Sequence, residues 1–121
     1  MFQISNIHFD SFSQERMNAF TSRMVDRLRL IFPKQIVEQN LMESDLLPLV
    51  QQGIKTAESY GVVGEMDVEL YIDCLVLLGP RFDTDQQFAW AGDSLRRSDI
   101  DGTAKMDFIH DHLVFATDKA R

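Results

Sequence analysis

The stretch from Glu65 to Leu78, EMDVELYIDCLVLL, constrains the fold more than any other. Val68, Tyr71, Ile72, Leu75, Val76 and Leu78 recur at helical spacing, yet they spread over a wide arc instead of one narrow stripe. A helix that is apolar over so much of its circumference must be covered by neighbours on more than one side. Its acids Glu65, Asp67 and Glu69 gather at the start, where the free N–H groups of a helix favour negative charge. Gly79 and Pro80 stop it. This segment is expected to be the central helix, and the rest of the chain must supply its cover.

The cover reads as helical. Met17, Phe20, Met24, Leu28 and Ile31 follow one another at steps of three and four, which makes one apolar stripe. Ser11 and Gln14 fit a capping box at its start, and Pro33 ends it, because the residue before a proline is biased away from helical geometry. Ile36, Val37, Leu41 and Met42 allow a short helix within 34–42. A further helix follows, with Ser44 or Asp45 as cap, Pro48 near its first turn and Gly61 as its stop. Leu47, Val50, Ile54 and Ala57 are expected to form its inner face, with Tyr60 near its end. The run GVVG at 61–64 is a turn between helices.

After the central helix, Thr84 and Gln87 suggest another capping box. Phe88, Trp90, Ala91 and Leu95 then fall at roughly helical spacing, and Arg96 and Arg97 suit that helix's C-terminal end. SDIDG at 98–102 is a turn capped by Asp101 or Thr103. A last helix is expected from Thr103 to Thr117, with Met106, Ile109, Leu113 and Ala116 on one face and Phe108, His112 and Phe115 on another. Phe2, Ile4, Ile7 and Phe9 alternate loosely, and a lone strand with no partner is unstable, so residues 2–9 are expected to form an extended arm. With short connections and no strand pair, repeat or linker, the pattern predicts one all-α domain over 1–121. Its expected form is an antiparallel bundle of about five helices with an extended N-terminal arm.

Composition narrows the function. At 121 residues the chain can build a core without metals or disulfides. The net charge of −7 is uneven: residues 61–121 hold twelve acids against six basic residues. Such a surface repels phosphate backbones and anionic lipid, so neither nucleic acid nor membrane is an expected partner. Cys74 is the one cysteine, which fits a reducing compartment. The opening MFQISNIHFD lacks a basic stretch followed by an apolar run, and the apolar run Cys74–Leu78 is far too short to span a bilayer. The expectation is a cytoplasmic protein.

Catalytic and metal-binding chemistry finds little support. Asp83 and Asp85, with Asp73 or Asp93 nearby, could hold a cation, but alternate acids in a turn commonly cap a helix. DIDG evokes a calcium loop, yet counting back from Gly102 puts Arg97 first and Phe108 twelfth, and neither fits. His110 and His112 are two apart and a helix points them in different directions. Cys74 sits among apolar helix positions as a small hydrophobe. No phosphate-loop, dinucleotide or nucleophile-elbow motif occurs. No cofactor, metal ligand or catalytic residue is assigned, and the chain is not expected to be an enzyme. An enzyme of unfamiliar type would draw on Asp73, Asp83, Asp85 and His110.

Nine Phe and six Met exceed what a small core demands. Surplus apolar groups collect at protein-binding surfaces. Phe82, Phe88 and Trp90 flank a helix start, and a protein-binding patch drawing on them is expected. The block GIKTAESYGVVGEMDVELYIDCLVLLGPRFDTDQQFAWAG, residues 53–92, resembles small helical accessory proteins encoded beside type VI secretion spike and effector genes, near those for PAAR-tip and VgrG proteins. The resemblance implies an adaptor, chaperone or co-chaperone that loads an effector onto the spike. The acidic second half suggests a different role, that of an immunity protein neutralising a cognate toxin. Neither reading fixes the oligomeric state.

Overall fold

In the computed structural model, residues 13–119 are described, with side chains described from 13 to 114. They form six α-helices: α1 (Gln14–Ile31), α2 (Pro33–Glu38), α3 (Glu43–Ser59), α4 (Glu65–Leu77), α5 (Ala89–Leu95) and α6 (Gly102–Lys119). A single 3-10 turn, Gln86–Phe88, precedes α5, and no strand occurs among the described residues. The expected arm at 2–9, and with it Ser11 and His8, lies outside the described residues.

Helix α4 is the centre of the bundle. Its residues 71–76 are buried without interruption, and α1, α2, α3 and α6 all pack against it. The chain sense follows from pairs along the helices. Arg23 meets Glu65 and Arg27 meets Asp73, so α1 and α4 run in the same direction. Gly53 faces Leu75 while the ring of Tyr60 meets that of Tyr71, so α3 runs against α4. At Gly53 the two helices come so close that a Cβ would sit 2.7 Å from Leu75 Cδ1.

Pro33 and Asp101 act where expected, while several other local expectations move by a residue or a turn. Helix α1 is capped by Ser13, whose Oγ accepts from Arg16 N–H at 3.2 Å. Pro33 both ends α1 and opens α2, where its missing N–H costs nothing. At α3 the backbone N–H of Met42 donates to Asp45 Oδ2 at 2.7 Å, so Asp45 lies inside the first turn and Met42 is the cap residue. The buried face of α3 is Leu46, Val50, Gly53 and Ala57. Leu47 is half exposed: the inner position at 53 is a glycine, which hydrophobic spacing does not register. Ile31, in the last turn of α1, is also exposed. Asp85 caps the 3-10 turn, its Oδ1 accepting from Gln87 N–H at 2.9 Å, whereas Thr84 donates to the Arg81 carbonyl. Asp101 caps α6 by accepting from Ala104 N–H at 2.9 Å.

Phe82 does not belong to an exposed patch. It is 1% accessible, with its ring centroid 5.0 Å from that of Tyr71. Gly79 makes this possible: its φ of 133° turns the chain sharply after α4, and residues 80–83 fold back over the helix end. Phe82→Ala is accordingly expected to cost roughly 3–5 kcal/mol of folding stability, the usual price of emptying a core aromatic site. Chemical denaturation measures this directly, and a loss under 1 kcal/mol by that assay would remove Phe82 from the core (roughly the scale of a surface change).

Among the described residues, one carboxylate is buried against the core. Asp73 accepts from Arg27 Nη2 at 2.8 Å and Nε at 3.3 Å, and Glu69 stands 3.7 Å from the same guanidinium. Burial holds the Asp73 carboxyl above its ordinary value, and the bond and charge of Arg27 only partly oppose this. The folded state therefore takes up the proton more readily than the unfolded chain. The contribution of Asp73 to stability is then largest in acid and declines as pH rises above 3.8 towards the raised folded value. Asp73→Asn is expected to remove that decline. Thermal midpoints measured across the acidic range should show wild type losing ground to Asp73→Asn as pH rises, and a gain would reverse the sign.

Candidate protein-binding face

Helix α5 has only seven residues, and its inward positions are taken by Ala91, Gly92, Ser94 and Leu95. Trp90 is left off that inward face. Helix α6 turns Met106 and Ile109 into the core, which leaves Phe108 and His112, four apart, together on its flank. The two flanks meet. The Trp90 indole stacks on His112 with ring centroids 3.8 Å apart and planes within 10°. Phe108 tilts against His112, 6.2 Å away by centroid, and stays 46% exposed. Trp90, Asp93, Ser94, Arg97 and Phe108 line a shallow groove of about 290 Å³.

The rim of this groove is charged. Arg97 forks onto Asp99 with bonds of 2.9 and 2.6 Å, and Asp93 lies 3.6 Å from Arg96. Such pairs contribute little to folding in water, and an aromatic floor with a polar rim is the usual anatomy of a protein-binding surface. Of the three aromatics expected here, Trp90 lines the groove, Phe88 is half-buried near the start of α5, and Phe82 is absent. Phe108 and His112 were legible only as a second face of the last helix. Their spacing of four, matched to a lone Trp on the preceding helix, was the available signal.

The apolar surplus has a second outlet. Leu30 is 82% exposed and, with Ile31 and Met24, lines a groove of about 390 Å³ edged by Arg23, Asp26, Arg27 and Glu69. Val37 and Met42 are also largely exposed.

The acids considered for catalysis are each engaged separately. Asp73 is paired with Arg27, and Asp85 caps a turn. Asp83 accepts the Tyr60 hydroxyl at 2.6 Å, and burial, followed by this bond, pushes the Tyr60 hydroxyl up from its ordinary value. His110 is exposed, 3.8 Å from Asp111. Burial pushes the Cys74 thiol up to about 12, which keeps it protonated and a poor nucleophile near neutral pH. No cluster of three or more potential metal ligands occurs among the described residues. None of the described helices is long and apolar enough to cross a membrane. No protein-family model matches the chain, and neither characterised proteins nor solved structures give a significant match.

Because Trp90 is the sole tryptophan, its fluorescence reports on this face alone. His112→Ala strips one side of the indole. Emission is expected to strengthen and shift to the red as water replaces the imidazole, and an unchanged spectrum would mean that the stack does not persist in solution.

Proposed function

We propose that this chain is a non-enzymatic adaptor of the chaperone type, which binds a protein partner through the face formed by Trp90, Phe108 and His112. The half-exposed Phe108 beside the stacked Trp90 is the observation that carries the reading. Large aromatics held rigid by neighbours lose little freedom on binding, which is why they dominate interface energetics. The resemblance of residues 53–92 to type VI secretion accessory proteins makes an effector or a PAAR/VgrG-type spike component the partner, engaged in the cytoplasm before export.

An immunity protein that blocks a cognate toxin is the second reading, favoured by the twelve acids against six basic residues in 61–121. Acidic surfaces of this kind steer basic partners into contact. Co-expression separates the two: an immunity protein rescues growth from the toxin, whereas an adaptor is required for delivery and leaves toxicity intact. Catalysis is the least favoured role, since the acids that would serve it are spent one by one on pairing and capping.

Phe108→Ala is expected to weaken capture of the neighbouring gene product by about 2 kcal/mol, roughly thirty-fold in Kd, with the thermal midpoint nearly unchanged. Trp90→Ala should weaken it at least as much. Isothermal titration with the purified partner provides the measurement, and undiminished affinity in both variants would move the binding face elsewhere.

A further inference from the structure

A separate small pocket lies between α3, α4 and the turn that follows α4. Gln52, Gly53 and Thr56 line it from α3, Tyr71 and Leu75 from α4, and Asp83 from the turn. Its volume is about 110 Å³, which suits the tip of a side chain better than a drug-sized ligand. Gly53 lets α3 approach α4 closely at the pocket's edge, since a side chain there would press on Leu75.

Two features set its chemistry. Tyr71 is fully buried, and its hydroxyl has no hydrogen-bond partner among the described residues. A buried hydroxyl without a partner costs stability, and a phenylalanine would fill the same space without that cost. The second feature is the balance of donors and acceptors. Asp83 receives the Tyr60 hydroxyl on Oδ2, which leaves Oδ1 as an acceptor. Gln52 donates its Nε2 to Thr56 Oγ1 at 3.3 Å, which leaves its carbonyl oxygen as another. Arg96 does not line the pocket; its Nη1 donates to the backbone carbonyl of Asp83 at 2.9 Å, and its nearby charge tempers the site without filling it.

A carboxylate beside neutral oxygen acceptors, in a space of a few heavy atoms, matches a planar cation with several N–H groups. The geometry points to this pocket as a receptor for the guanidinium of an arginine side chain presented by a protein partner. This inference rests on the protein-binding reading above, and the net charge of −7 favours approach of such a partner.

The test needs no partner. Isotope-labelled protein is titrated with N-acetyl-arginine methylamide while backbone amide shifts are followed by NMR. Saturable shifts are expected at Gly53, Thr56, Leu75 and Asp83, with a Kd on the order of millimolar for so small a probe. The neutral isostere, N-acetyl-citrulline methylamide, should leave these amides unmoved. Asp83→Asn retains an acceptor for Tyr60 and is expected to weaken the probe about ten-fold or more. Tyr71→Phe should weaken it several-fold while the thermal midpoint holds or rises. Absence of localised shifts, equal response to the citrulline analogue, or full binding by Asp83→Asn would each overturn the assignment. Failure of the aromatic face would show instead in partner affinity of Phe108→Ala, so the two ideas fail in different experiments.

Discussion

Six successive buried residues in α4, from Tyr71 to Val76, set the terms for everything around them. No helix can hide six consecutive side chains against one neighbour, because they point around the whole circumference. The remaining helices are therefore committed to surrounding α4, and α1, α2, α3 and α6 do so. Helix α5 is left with a different task, packing on α6 and on the turn before it. The aromatic face lies on the outer flank of α5 and α6, where Trp90 packs partly against the core and Phe108 stays exposed.

The turn after α4 joins more of the molecule than its length suggests. Phe82 inserts beneath it against Tyr71, whose ring in turn meets Tyr60. Arg96 at the end of α5 donates to the Asp83 carbonyl, and Lys105 of α6 donates to the Tyr60 carbonyl at 2.8 Å. The end of α5 is thus tied to the turn after α4, and α6 to the residue that ends α3, each by a bond to a backbone oxygen. Carbonyl acceptors do not titrate, so these ties persist where carboxylate pairs weaken.

Much of the fold was legible in the sequence because helical spacing and stop residues agreed. The central helix was expected at Glu65–Leu78 and lies at Glu65–Leu77, since acids at its start and Gly79 at its end give both boundaries chemical markers. In α3 Val50 and Ala57 are buried as expected, but Leu46 and Gly53 take the places given to Leu47 and Ile54, because a hydropathy pattern ignores a glycine that shape puts inside. Phe82 was expected outside because its burial depends on the direction of a turn set by one backbone angle at Gly79. The Trp90–His112 stack joins residues 22 apart on different helices, and pairing across helices is set by packing that no local period encodes. The small pocket beside Asp83 was hidden for the same reason, its walls being supplied by three separated segments.

The ion pairs between α1 and α4 repeat every four residues. Arg23 and Arg27 on one helix face Glu65, Glu69 and Asp73 on the other. A sliding of α1 along α4 by one turn towards the start of α4 would bring Arg27 to Glu65 and leave an acceptable surface pairing behind. It would also strand Asp73, buried, with no cation beside it, and an unpaired buried charge is severely unfavourable. The two outer acids tolerate more than one alignment, while the inner one accepts a single register. Asp73 thus acts less as a source of stability than as a stop that tells two parallel helices where to rest.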